Sequence, residues 1–194
     1  PSHIVVPSSS AVYGEGEWEL DGVRYRPNPR SHEHLSAGRW DPPSEDGRAG
    51  RALPSRARDT APNPTSVYGA TKLAQEHICT AWAAAMGAAV SILRFQNVYG
   101  VGQSLTNPYT GVLTLFTRLA VADKLIEVYE DGQILRDFVY IDDVVDAVIR
   151  TIDRPPADVR RVDIGSGAPR TAVGGRDDHR HHRVEAAGGD RSVP

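Results

Sequence analysis

The sequence predicts an α/β protein built on a doubly wound parallel sheet, and three observations carry that prediction. Two short apolar runs, His3–Ser8 and Val90–Phe95, do not alternate in polarity, as expected of parallel strands covered on both faces. Between them lies a segment whose apolar residues recur at helical spacing: Val67, Ala70, Leu73, Ala74, Ile78, Ala81, Trp82 and Ala85. Strand, helix and strand in that order make the helix the crossover of a βαβ unit.

Composition narrows the class. A chain of 194 residues with 40% hydrophobic content fits one globular domain or most of one. Its net charge of −3 is spread over mixed signs, so neither nucleic acid nor a membrane surface is expected as a partner. The single cysteine, Cys79, excludes a disulfide framework and a cysteine zinc site, and a reducing cytoplasm is the expected compartment. No run of about 18 apolar residues predicts a membrane span, and no basic segment followed by an apolar core predicts a secretion signal.

Taken in order, the first strand runs into Ser8-Ser9-Ser10-Ala11-Val12-Tyr13-Gly14. Ligands of open α/β sheets bind beyond the carboxyl ends of strands, so these hydroxyls are well sited for a substrate, although serines there also serve as turn residues. From Glu15 to Pro62 the chain turns to Pro, Gly, Arg and acidic residues with little period, which predicts an inserted excursion or partial disorder. Trp18, Tyr25, Leu35 and Trp40 are its candidate anchors, and His32 and His34 read as solvated loop residues rather than metal ligands. Asn63 to Ser66 offers caps for the helix, and Gly87 its stop. Beyond the second strand and a loop through Asn107-Pro108-Tyr109, a helix is expected over about 111–122. Leu125–Tyr129, the Asp131-Gly132 turn and Arg136–Ile141 predict a hairpin. Asp142-Asp143 is then expected to cap a helix from Val144 to Ile152, and Arg161–Ile164 to form a last strand ending at Gly165-Ser166-Gly167.

Chemistry enters at Tyr68 and Lys72. Four residues apart at the head of a helix, their side chains lie one turn apart on one face. An ammonium beside a phenol stabilises the phenolate and prepares it for general acid/base work, which a packing helix does not need.

Joined with Ser8–Gly14, with Arg94-Phe95-Gln96-Asn97-Val98-Tyr99-Gly100 and with Arg136-Asp137-Phe138-Val139-Tyr140-Ile141-Asp142-Asp143, this pair resembles the extended short-chain dehydrogenase/reductase superfamily, in its branch of NAD-dependent nucleotide-sugar epimerases and dehydratases. Within the branch, Asn63 to Lys72 and the position of the long insertion are most similar to dTDP-L-rhamnose 4-epimerase-type proteins. Some of those carry Cys pairs in the insertion and this chain has none. The resemblance implies the carboxyl-terminal part of a Rossmann-like sheet over 1–104, with 15–62 as the insertion. It further implies part of a substrate-binding region over 105–170. The stretch over 171–194, rich in Arg, Asp, His and Gly with no apolar period, reads instead as a disordered tail, with His179, His181 and His182 a solvated or disordered run rather than a metal site.

Residue by residue, the resemblance implies Tyr68 as the catalytic acid/base and Lys72 as the residue that holds the nicotinamide ribose and assists the Tyr. Ser9 would be the hydroxyl that bonds the reacting sugar oxygen and relays its proton. Phe95 and Val98 join Tyr68 and Lys72 on the NAD side, and Ser10, Asn97 and Arg136 contact the nucleotide-diphosphate sugar, where the fixed fork of Arg suits phosphate oxygens. No metal is implied, and a homodimer is expected of the complete enzyme. In 4,6-dehydratases of the branch an Asp-Glu pair follows the catalytic Thr; here Ser10 and Ala11 stand there, which favours 4-epimerisation through a transient 4-keto sugar over dTDP-glucose 4,6-dehydration.

The Gly-rich turn that meets the dinucleotide pyrophosphate does not occur in the sequence: Gly14-Glu15-Gly16 has the wrong spacing and no helix behind it. The expectation is therefore that the amino-terminal dinucleotide-binding half is missing, and that this chain alone is inactive and binds NAD weakly or not at all. A non-catalytic remnant or interaction module is the reading from another class, and an upstream reading frame encoding a Gly-rich strand–turn–helix would decide between them.

Overall fold

The computed structural model describes residues 1–167 other than 106, 108–110 and 129, together with 170–171 and 183–184. In chain order its elements are β1 (His3–Ser9), a 3₁₀ turn (Ser10–Tyr13), β2 (Glu17–Leu20), β3 (Val23–Tyr25), α1 (His32–Ser36), β4 (Arg51–Leu53), α2 (Val67–Met86), β5 (Ala89–Phe95) and β6 (Asn97–Tyr99). They continue with α3 (Val112–Val121), β7 (Ile126–Glu127), β8 (Leu135–Arg136), β9 (Phe138–Tyr140), α4 (Ile141–Asp153), β10 (Val159–Ile164), β11 (Arg170–Thr171) and β12 (Arg183–Val184).

The central sheet is parallel, in the order β1-β5-β10. β5 has a neighbour on each side and is buried from Ala89 to Arg94, which is why its sequence does not alternate. β1 lies at the edge, with Val6 and Ser8 buried, so the expectation of cover on both faces holds for β5 and not for β1. α2 packs on the sheet through Ala83, Cys79 and Trp82, which meet Val6, Val90, Ile92, Ile4 and Val159. Burying each of the larger aliphatic side chains contributes about 1.5–3 kcal/mol.

α2 begins and ends as its sequence dictates. The Ser66 hydroxyl accepts from the Gly69 amide at 3.0 Å, and Gly87, in the left-handed region at φ 60°, returns its N–H to the Ala83 carbonyl. Gly69 also lets the first turn of α2 approach the 3₁₀ turn, because a Cβ there would collide with the Ala11 carbonyl.

The excursion over 15–62 is ordered rather than partly disordered. β2 pairs antiparallel with both β3 and β4, so Trp18 lies opposite Tyr25 on one side and Ala52 on the other. The Tyr25 hydroxyl donates to the Pro42 carbonyl at 3.2 Å and accepts from the Gly50 amide at 3.0 Å, and Trp18 donates to the Glu15 carbonyl at 2.8 Å. These aromatics close the excursion on itself.

Two other expectations are corrected. Among the described residues the hairpin over 125–141 is not formed: β7 pairs with β12, β8 with β11, and β9 runs parallel to β6. Asp142 and Asp143 do not cap a helix at Val144. Instead α4 starts at Ile141 with Tyr140 at the cap, and the two carboxylates sit in its first turn, where they complement the helix dipole. The tail expectation over 171–194 lies outside the described residues, apart from the short pairings of β11 and β12.

Candidate active site

The carboxyl end of the sheet gathers most of the residues singled out from sequence. Ser9 ends β1 and starts the 3₁₀ turn, its Oγ accepting from the Ala11 amide at 3.2 Å, and Ser10 follows it. Phe95, at the end of β5, is in register with Ser9 on one side and Ile164 on the other. Tyr68 stands in the first turn of α2 with 57% of its surface exposed. Lys72 sits one turn later, and its Nζ lies 5.9 Å from the centroid of the Tyr68 ring and donates to the Pro7 carbonyl at 3.0 Å. That bond uses one of three ammonium donors and ties the lysine to the end of β1.

Beyond Phe95 the chain enters β6. The Asn97 amide and its side-chain Nδ2 both donate to the Asp137 carbonyl, at 2.9 and 3.1 Å. A cleft of ≈ 540 Å³ opens here, walled by Tyr68, Asn97 and Val98 with Gln103, Leu113 and Phe138 among their neighbours. Ser9, Ser10, Lys72, Phe95 and Arg136 do not line it. Arg136 is half-buried on β8, and the next residue fixes its strand: the Asp137 carboxylate accepts from the Ser166 amide at 2.8 Å, the Ser166 hydroxyl at 2.6 Å and the Gly167 amide at 3.1 Å.

Behind this surface lies a polar chain that the sequence reading missed. The Glu76 and Arg94 side chains are 1% and 2% exposed and form a two-pronged ion pair, Arg94 Nε to Glu76 Oε1 at 2.9 Å and Nη2 to Oε2 at 2.7 Å. Arg94 Nη1 donates to the Tyr13 hydroxyl at 3.0 Å, which in turn donates to Asp163 Oδ1 at 2.6 Å. Ser8 donates to Glu76 Oε1 at 2.6 Å, and the Ala57 amide of the excursion donates to Asp163 Oδ2 at 2.6 Å. Burial pushes the Glu76 carboxyl up, but the Arg94 bonds, with Ser8, outweigh it and hold it below its ordinary value. Burial first, then the Asp163 bond, pushes the Tyr13 phenol well up, so it stays protonated. Two signals were available in the sequence: an Arg within a largely apolar strand, and a Glu one turn beyond Lys72 on the same helix face.

The comparisons with known proteins agree with this fold. Residues 44–165 match the NAD dependent epimerase/dehydratase family. The chain is 55% identical over 166 residues to dTDP-L-rhamnose 4-epimerase of Burkholderia thailandensis, a match covering 85% of this chain and 44% of that protein. Among solved structures it superposes on MoeE5 in complex with UDP-glucose and NAD with a TM-score of 0.59 at 31% identity, covering 88% of this chain and 44% of that one. UDP-glucose 4-epimerase of Thermotoga maritima shares the fold, with a TM-score of 0.62 at 24% identity over 88% of this chain and 43% of that one. The chain thus spans less than half the length of the relatives it matches. On the family match, which spans more than half of its residues, this chain belongs to the NAD dependent epimerase/dehydratase family.

Proposed function

We propose that this chain supplies the sugar-handling part of an NAD-dependent nucleotide-sugar 4-epimerase of the dTDP-hexose type. The observation that carries the reading is the arrangement at the end of the sheet: Tyr68 and Lys72 one turn apart, the Ser9 turn packed against the same helix turn, and a cleft opening beside Tyr68.

The residues present fit the nicotinamide end of the cofactor. Lys72 keeps two ammonium donors for ribose hydroxyls after its bond to Pro7, and Val98 lines the cleft with apolar surface while Phe95 ends β5 behind it. NAD, when bound, supplies the acceptor and later the donor of the hydride at sugar C4. Tyr68 takes the C4 hydroxyl proton and returns it after the sugar has presented its other face. Ser9 bonds that same oxygen and orients it, while Lys72, beside the Tyr68 ring, holds the ribose hydroxyls. Asn97 and Arg136 bind the diphosphate, the latter from a strand fixed by Asp137.

Dehydration would further require an acid for the leaving C6 hydroxyl and a base for the C5 proton. The Ser10–Tyr13 turn carries no acidic residue, which favours the epimerase. The test is to fuse the chain to the amino-terminal half of the Burkholderia relative, incubate with dTDP-L-rhamnose and with dTDP-glucose, and follow products by NMR. A C4 epimer of the rhamnose is expected; a 4-keto-6-deoxy sugar accumulating from dTDP-glucose would overturn the assignment. In the same protein Tyr68→Phe is expected to leave less than about a tenth of the rate, a loss above ~1.4 kcal/mol of transition-state stabilisation, with nucleotide binding kept.

A further inference from the structure

The buried chain of Ser8, Glu76, Arg94, Tyr13 and Asp163 has no direct part in that chemistry, yet its first four members each lie on an element that carries a candidate site residue. Glu76 is one turn beyond Lys72 on α2, and Ser8 precedes Ser9. Arg94 precedes Phe95 at the end of β5. Tyr13 closes the 3₁₀ turn that Ser9 opens. Arg94 commits all three of its nitrogens, two to Glu76 and one to Tyr13, and its guanidinium also lies 4.9 Å over the Tyr13 ring.

Stability alone does not call for such an arrangement. A buried ion pair loses so much hydration that well-packed apolar residues of similar volume are often neutral or stabilising in its place. The apolar neighbours Val90, Ile92 and Leu93, each 1% exposed or less, show that this layer of the sheet accommodates aliphatic side chains. What a fully satisfied polar chain adds is a single allowed geometry, since each bond fixes the next.

Resting on the epimerase reading above, we propose that Glu76, Arg94 and Tyr13 are positioning residues. They hold the Ser9 turn at one height against the Tyr68/Lys72 helix, and the Tyr13 hydroxyl is the link that sets that height. Asp163 anchors the far side of Tyr13 and, through the Ala57 amide, clips the excursion to the same point. Ser9 is thereby located from three directions: through its own strand, through Tyr13 and Arg94 to β5, and through Glu76 to α2.

The experiment has two arms, and its main variant is Tyr13→Phe, which deletes one oxygen and leaves the Glu76–Arg94 pair intact. In the full 194-residue chain, amide hydrogen exchange is read at Ala11, Gly14 and Asn63, which bond to Ser9 Oγ, Ala11 O and Val12 O, and at Val90 in the sheet as reference. Exchange at the first three is expected to rise about tenfold with Val90 unchanged. No change at the turn overturns the proposal, and so does a uniform rise at all four sites, which would mark a merely structural role. In the fused enzyme Tyr13→Phe is expected to lower kcat about tenfold with KM within about twofold; a kcat equal to that of the parent also overturns it. Glu76→Gln, if it folds, is expected to move the same reporters. Because the exchange arm needs no catalysis, a Tyr68→Phe enzyme that stays active would overturn the epimerase chemistry while the exchange pattern still decides the proposal.

Discussion

The excursion over 15–62 and the body of the sheet use charge in opposite ways. In the excursion, Arg24–Glu17, Arg48–Asp21, Arg48–Asp46, Arg51–Glu19 and Arg58–Asp59 are spread over an exposed surface, with arginine side chains 60–74% accessible. In the body the Arg94–Glu76 pair sits at 2% and 1%, with Arg161 reaching the same carboxylate at 3.8 Å. Exposed pairs are screened and exchange partners with water, so many of them define a surface without fixing it. One buried pair cannot exchange, so it dictates where its strand and helix sit. The number of ion pairs is therefore a poor guide to which region is held rigidly.

The largest effect that would sharpen this contrast is Arg94→Ala. It strands the Glu76 carboxylate in the core, and a loss of about 3–5 kcal/mol is expected in urea unfolding followed by circular dichroism. A loss below about 1 kcal/mol would mean that the interior pair behaves like a surface one. Next comes Gly14, at the join of the two regions. It has φ 61°, and a Cβ there would overlap the Asn63 carbonyl, so Gly14→Ala is expected to cost about 1–3 kcal/mol by the same measurement.

The contrast also runs along the pH axis. Glu76 titrates below its ordinary value of 4.5 in the folded chain, so its contribution is present above that value and is lost as pH falls through the lower, folded value. Thermal melts from pH 6 downward are expected to show this loss, and Glu76→Gln to flatten that part of the curve. Asp46, held at about 2 by the Ser44 hydroxyl and then by Arg48, lies on the open surface, so 1 M salt is expected to weaken its bonds while leaving the Glu76 pair nearly untouched. Smallest of all is Arg51→Ala, expected to change stability by about 0.2–1 kcal/mol; a larger loss would break the comparison from the other side.

What could be read from sequence follows from how local each signal is. α2 was readable to within a residue at its carboxyl end because Ser66 and Gly87 punctuate it and its apolar period is its own. β5 was readable because burial on both faces removes alternation. β7 and β8 were misassigned as a hairpin because their partners, Val184 and Thr171 among them, lie far along the chain, while the Asp131-Gly132 turn signal is local and strong. The order within 15–62 was hidden because a short three-stranded sheet closed by Trp18 and Tyr25 needs no long apolar run. In the site, Tyr68 with Lys72 and the Ser9 turn were visible as motifs. The Glu76–Arg94–Tyr13–Asp163 chain was not, since only the fold brings together residues drawn from four separate elements.

The parallel sheet has a consequence for how fast the chain reaches this structure. Its paired strands are remote in sequence, with His3 opposite Ala89 and Val159 opposite Val90, so no strand can dock before a long loop has closed. Loop closure grows only logarithmically with length, at about 0.6 kcal/mol per doubling, so the excursion between β1 and α2 adds little to the equilibrium cost. Its effect falls on rate. Contacts between distant residues slow the search, while α2, closed by its own caps, can form early and wait for its strands. Shortening the excursion to a tight turn is therefore expected to speed refolding far more than it raises the midpoint of unfolding.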